Sequence, residues 1–272
     1  MVFNMINLAL YKKELKRNLM IFLIFFGLIM LYGIIVSALF DPSVENLGWM
    51  QMLQEMYPEL LDFIGFNVAH LTDYQYFVSG YLYGMLFLLF GLLYANILSN
   101  RLIFRYIDRG SIAFLLTTQN SRTKVITTQI KVLGTYTFIM TMSMYLILSI
   151  SGEVFNPTYV DFGKLLYLNF SFFLFLCFIG ALMFLCHSLF DGKTALGLGM
   201  GIPVVFFFLK LISNLGDQYK IVTYLTPFSL FDPIRCINYD GLSFLFNGIL
   251  IILTAALYFI TIHFFKKRDL SV

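Results

Sequence analysis

Six stretches of this chain contain no Asp, Glu, Lys or Arg: Leu19–Phe40, Tyr74–Asn100, Val132–Gly152, Leu165–Phe190, Thr194–Leu209 and Gly241–Phe265. Crossing the hydrocarbon of a bilayer takes roughly 20 mostly apolar residues, wound as a helix so that every backbone N–H and C=O is bonded where no water reaches. Five of the stretches are ample. Thr194–Leu209 is short, but it extends to Ser213 if Lys210 lays its stem along the apolar face and lifts its ammonium to the interface. Charged residues are only 12% of the 272 residues and the mean hydropathy is +0.83, whereas a soluble domain is about a quarter charged. The expected fold is an all-α membrane protein, a single domain over residues 1–272. Its six transmembrane helices lie near 19–40, 77–100, 132–152, 165–190, 194–213 and 243–265.

The net charge of +3 would suit nucleic acid, but its distribution argues otherwise. With the N-terminus in the cytosol, 14 of the 18 Lys and Arg fall on the cytosolic side, among them Lys12, Lys13, Lys16, Arg17, Lys193, Lys266, Lys267 and Arg268. Eleven of the 15 acids fall on the other. Bases near span ends set orientation, so both termini are expected inside. The basic cluster before the first apolar run mimics a signal peptide. That run is 22 residues long and no A-x-A site follows it, so it is expected to stay as a helix.

Residues 1–18 carry Met5, Ile6, Ala9 and Leu10 ahead of the basic face, the pattern of an amphipathic helix lying in the cytosolic interface. The outer loop 41–76 holds six acids and no base; its apolar residues have helical spacing, interrupted by Pro58. The outer loop 214–242 carries Thr226-Pro227, Asp232-Pro233 and several aromatics, and reads as an interfacial cap. The cytosolic segment 101–131 differs from both. It holds Arg101, Arg105, Arg109, Arg122, Lys124 and Lys131 against Asp108 alone. Three of those arginines recur every four residues, on one face of a helix. After Gly110-Ser111 come an apolar patch, Phe114, Leu115 and Leu116, and a polar turn ending in Ser121-Arg122. A chain that only filled lipid would not need this piece, and it is expected to dock a cytosolic partner.

The second span contains Gly80-x-x-x-Gly84 and the fifth contains Gly197, Gly199 and Gly201 before Pro203. Small residues four apart let membrane helices approach closely, and a proline kinks or splits a helix. These two helices are expected near the centre of an assembly. Catalytic chemistry is missing. There is no G-x-x-x-x-G-K-[ST] phosphate loop and no H-E-x-x-H. Cys177 and Cys186, nine residues apart, fall on opposite helix faces, so Cys186-His187 is not expected to hold zinc. His187 and His263 sit near cytosolic helix ends, where interface-facing histidines need no special role. No acidic or basic relay buried mid-span, of the kind ion-coupled transporters use, is evident. Cys236 is an outer unpaired thiol. The chain is not expected to be an enzyme, and it brings no cofactor or energy source of its own.

Taken together, six helices, cytosolic termini, an in-plane N-terminal helix and a structured loop after the second span resemble the membrane subunits of ABC-2 type (type V) exporters. The resemblance rests on Asp108-Arg109-Gly110-Ser111, Phe114-Leu115-Leu116, Asn120-Ser121-Arg122 and Lys124, on the outer Met56–Leu61 with Gly65-Phe66, and on Thr226-Pro227-Phe228. The glutamate-rich run usual before the glycine is reduced to Asp108, and the proline usual before Ser-Arg is absent. The resemblance implies a cytosolic ATPase partner that binds ATP and Mg, two permease chains per complex, and a cell-membrane location in a bacterium. It implies that the loop docks in a groove on the ATPase and that the second and fifth helices flank the pathway. The expected cargo is a hydrophobic or amphipathic peptide, such as a toxin or bacteriocin, or another amphiphile. A non-pumping membrane scaffold or immunity protein is the alternative. An intramembrane hydrolase would need a nucleophile that the sequence does not display.

Overall fold

The computed structural model describes residues 6–41, 52, 55–64, 73–108, 121–190, 192–215 and 217–267, and no strand occurs among them. The helices are α1 (Leu8–Leu39), α2 (Pro58–Ile64), α3, α4 (Arg122–Phe155), α5 (Phe162–Leu189), α6 (Gly192–Ser213), α7 (Lys220–Tyr224), α8 (Pro233–Ile237) and α9 (Gly241–Lys267). Helix α3 begins as Tyr74–Val78, passes through a π-helical segment Ser79–Leu86, and continues as Phe87–Asp108. Six of these, α1, α3, α4, α5, α6 and α9, are long and apolar enough to cross a membrane. The protein is a multi-pass membrane protein of helices.

Short polar side chains set where the helices start. Asn7 accepts from Leu10 N at the head of α1, and Asp73 from Gln75 N and Tyr76 N at the head of α3. Ser121 accepts from Lys124 N before α4, and Asp161 from Lys164 N before α5. Each satisfies a backbone N–H that the first helical turn leaves without an internal partner. The helical spacing is interrupted at Tyr57, as the proline leads one to expect, and Pro58 then opens α2, since a first-turn residue needs no N–H. Asp232 and Pro233 open α8 in the same way.

The helices run alternately up and down, so the chain's charge bias becomes a difference between two ends of one bundle. Arg122 reaches the Lys266 carbonyl, which puts the start of α4 beside the finish of α9. That end also carries the start of α1 and the finish of α3, and it is the basic end. Tyr74 bonds Ser37 and the Leu148 carbonyl at the other, acidic end.

Burial ranks the helices. In their most apolar stretches, 67% of α3 and of α5 is buried, against 28% of α6, 22% of α1 and 17% of α9. Helices α3 and α5 are therefore the centre, and within one chain α6 is peripheral. Helix α1 packs chiefly on α4, and α9 on α5.

One expectation is corrected here. From Leu8, α1 runs without a break through residue 18 into the span, so no separate in-plane helix exists over those residues. Its basic stretch extends the same rod: 32 residues make about 48 Å, well beyond the ~30 Å hydrocarbon. Of the kink or split expected at Pro203, α6 shows no split; the missing proline N–H leaves the Gly199 carbonyl without its usual helical partner.

Candidate functional site

At the basic end, α1 and α4 are laced together over two turns. The Asn7 backbone N–H donates to Thr128 Oγ1 at 3.0 Å, and Tyr11 and Thr135 share a hydrogen bond of 2.9 Å. Tyr136 donates to the Leu15 carbonyl. The Lys131 ammonium lies over the Tyr11 ring, 5.9 Å from its centre, a cation–π distance. Beside this lacing sits a charged cluster. Glu14 is fully buried and accepts from Arg17. Asn18, also buried, donates from Nδ2 to the Glu14 carbonyl at 2.9 Å and to its carboxylate at 3.2 Å. Its Oδ1 accepts from Arg101 Nε at 3.0 Å. A carboxylate removed from water is tolerable only when paired and hydrogen-bonded in this way. The cluster joins α1 to α3.

None of these pairings was expected from the sequence beyond the basic charge itself. A signal was present: Glu14 is the one acid in the first 40 residues, with Arg17 and Asn18 three and four positions on, the spacing at which helical neighbours meet.

The expected docking residues divide by position. Asp108 ends α3, and side chains along that helix are described as far as Ile103. Arg109, Gly110, Ser111, Phe114, Leu115 and Leu116 lie outside the described residues. Ser121 is the cap of α4. Arg122 donates to the Lys266 carbonyl at 3.4 Å, placing its cation at the carbonyl end of α9, where the helix dipole favours positive charge. Lys124, in the first turn of α4, donates its backbone N–H to that cap.

The glycines divide differently from the expectation. Among the described residues, a side chain at Gly197 or Gly201 would meet nothing within 4 Å, whereas a Cβ at Gly199 would stand 2.5 Å from Met183 Sδ. The close approach of α6 to α5 is therefore made at the intervening glycine. Gly80 is half-buried, Gly84 and Pro203 are buried, and Gly80 and Gly84 both lie in the π-helical segment.

That segment holds the clearest departure from expectation. Lys210 does not lift its ammonium to the interface; Nζ turns inward and donates to the Gly84 carbonyl at 2.9 Å. A π turn bonds residues five apart and shifts carbonyls away from their usual helical donors, so a cation from α6 reaches one. One residue earlier, Tyr83 is fully buried and donates to Asn169 Oδ1 on α5 at 2.7 Å. Glu14, fully buried, lies at the basic end, and Lys210, half-buried, turns inward near the other, so the two stand apart along the bundle.

Among the described residues no three His, Cys, Asp or Glu converge to hold a metal ion. His187 faces the core and is fully buried, contrary to its expected interfacial position, while His263 is exposed. Cys236, in α8 outside the spans, is buried, and burial pushes its thiol up to about 12. It stays a protonated, poorly nucleophilic thiol at neutral pH. What the arrangement is built to do is hold helices in fixed relation at the basic end. A comparison with protein families, curated proteins and solved structures finds no match to the chain.

Proposed function

We propose that this chain is the membrane-spanning permease subunit of an ATP-driven exporter of the ABC-2 type. In this reading the basic end is cytosolic, a separate ATPase subunit docks there, and two permease chains enclose the pathway. The observation that carries the reading is the basic-end clasp. Helix α4, 34 residues or about 51 Å, overruns the hydrocarbon and is laced to α1, while Arg101 and Asn18 tie α3 to the same assembly. The segment between α3 and α4, with Phe114, Leu115 and Leu116, thus springs from two helices anchored in one stiff body. A partner gripping it would move spans, not a slack loop, which is how ligand-driven closure of one subunit biases a two-state change in another. The cargo in this reading is a hydrophobic or amphipathic peptide or similar amphiphile.

The test is recovery of the tagged full chain from native membranes, with vanadate-sensitive ATPase activity measured on the eluate. The expected result is a soluble ATPase near one-to-one stoichiometry. Phe114→Asp with Leu115→Asp is expected to abolish its recovery while the helical content of the chain is retained. A clean eluate without nucleotide hydrolysis would reject this reading in favour of a non-pumping scaffold or immunity protein, and unchanged recovery with the double variant would reject docking through Phe114 and Leu115.

A further inference from the structure

Between α4 and α5 the bundle leaves a cavity of about 360 Å³ lined by Phe138, Thr141, Met142, Gly163, Leu166, Tyr167, Asn169, Phe170 and Phe173. Phe138, Leu166 and Phe170 at its rim are about half exposed, whereas Thr141 and Asn169 on its floor are buried. The cavity is thus a groove open on the flank of two spanning helices. We infer that this groove binds one acyl chain of a resident membrane phospholipid.

Three observations lead there. The first is polarity. Every polar group on the floor is already engaged: Thr141 donates to the Thr137 and Phe138 carbonyls, and Asn169 accepts from Tyr83 and donates to the Leu165 carbonyl. Tyr167 bonds Ser243 and Asn247 of α9. Each of these groups is already partnered within the bundle, and the rest of the lining is hydrocarbon and ring faces, so the ligand that fits is apolar.

The second is depth. Gly163 is the second residue of α5, with the Asp161 carboxylate and the Tyr239 hydroxyl beside it, a polar and aromatic rim of the kind found at headgroup level. From Gly163 to Phe173 the helix rises about 15 Å, half of a ~30 Å hydrocarbon core. There Phe138 and Phe173 meet edge to face at 5.8 Å and close the groove. It therefore runs from the interface to the midplane, the depth of one leaflet.

The third is girth. Drawn out over that length, a cavity of about 360 Å³ is narrower than a whole helix, which is about 10 Å across. A single extended chain fits and a helix does not. The inference stands on the membrane placement alone, so failure of the exporter reading leaves it untouched.

The full chain would be reconstituted in vesicles of phosphatidylethanolamine and phosphatidylglycerol doped with a phospholipid carrying a mid-chain diazirine, irradiated, and mapped by peptide mass spectrometry. Labelling is expected to concentrate on Phe138, Met142 and Phe173, above Ile252 and Phe259 of α9, although those two are 69% and 74% exposed. Leu166→Trp, filling the groove from its rim, is expected to lower that labelling about tenfold, equivalent to ~1.4 kcal/mol of lost binding, with Phe259 unchanged. Phe138→Ala, which opens the deep end, is expected to carry labelling on to Gly134. Labelling that simply follows exposure, or that ignores both variants, would overturn the inference. So would displacement of the label by an exported cargo, or cross-links at Phe170 between two copies.

Discussion

Two polar regions of the same bundle are built on opposite plans. At the acidic end, Tyr74 is fully buried; its hydroxyl shares a 2.8 Å bond with Ser37 and donates to the Leu148 carbonyl at 2.8 Å. Ser151 donates to Ser37, and Asn156 to the Ser37 carbonyl. Three helices meet in one knot with its polar atoms engaged. Toward the basic end of the same α3 and α4, Asn96, Ser99 and Gln129 are buried as well. Here both amide atoms of Asn96, both of Gln129 and the Ser99 hydroxyl have no hydrogen-bond partner among the described residues. An unmet buried polar group costs about 1–3 kcal/mol, so this packing is stable only because its surroundings hold it. The knot is a fastening; the middle of α3 is where repacking costs least.

The widest gap between the two regions is expected on truncation. Tyr74→Ala removes a ring and a hydrogen-bond hub, and should cost about 3–5 kcal/mol, read as loss of thermal stability in detergent by circular dichroism. Less severe is Gly152→Ala, because a Cβ there would stand 2.7 Å from the Tyr74 ring and hydroxyl. A penalty of about 1–3 kcal/mol is expected. It should shrink markedly when Tyr74 is already alanine, since the two share one space; full additivity would mean that the knot is not one unit. The smallest effect, and the one opposite in sign, belongs to Asn96→Leu. Trading an unmet amide for hydrocarbon of similar size should leave stability equal or raise it by up to about 1 kcal/mol. A loss as large as that of Tyr74→Ala would erase the contrast.

Runs without charge marked where hydrocarbon surrounds the chain, and the six spans were legible for that reason. They did not mark where helices end. Residues 8–18 and 122–131 are charged yet helical, because a helix leaving the membrane keeps its own backbone bonds while its outer face turns to water. Ser121 was visible as part of a polar turn, but its role as the cap of α4 depends on a backbone geometry that composition does not display. The glycines show a second limit. Spacing by four named Gly197 and Gly201, yet it is Gly199 that meets Met183, since periodicity defines a helix face without saying what lies opposite. Lys210 is the third case. A lone lysine near a span end reads as an interface anchor until a π turn on a distant helix presents a carbonyl to it. The buried Glu14–Asn18–Arg101 chain likewise needs α3 beside α1, a fact of tertiary structure.

The overrun of α4 acquires a mechanical meaning once the knot is set at one end of it. From Leu148, where Tyr74 grips, to Arg122 is 26 residues, or about 39 Å of stiff rod. A tilt of roughly 5° about that grip sweeps the Arg122 end through about 3 Å, a fair fraction of the width of a side chain. Because α1 is laced to that same end of α4, the two helices would share any such tilt, and the displacement would shrink steadily toward the grip at Tyr74.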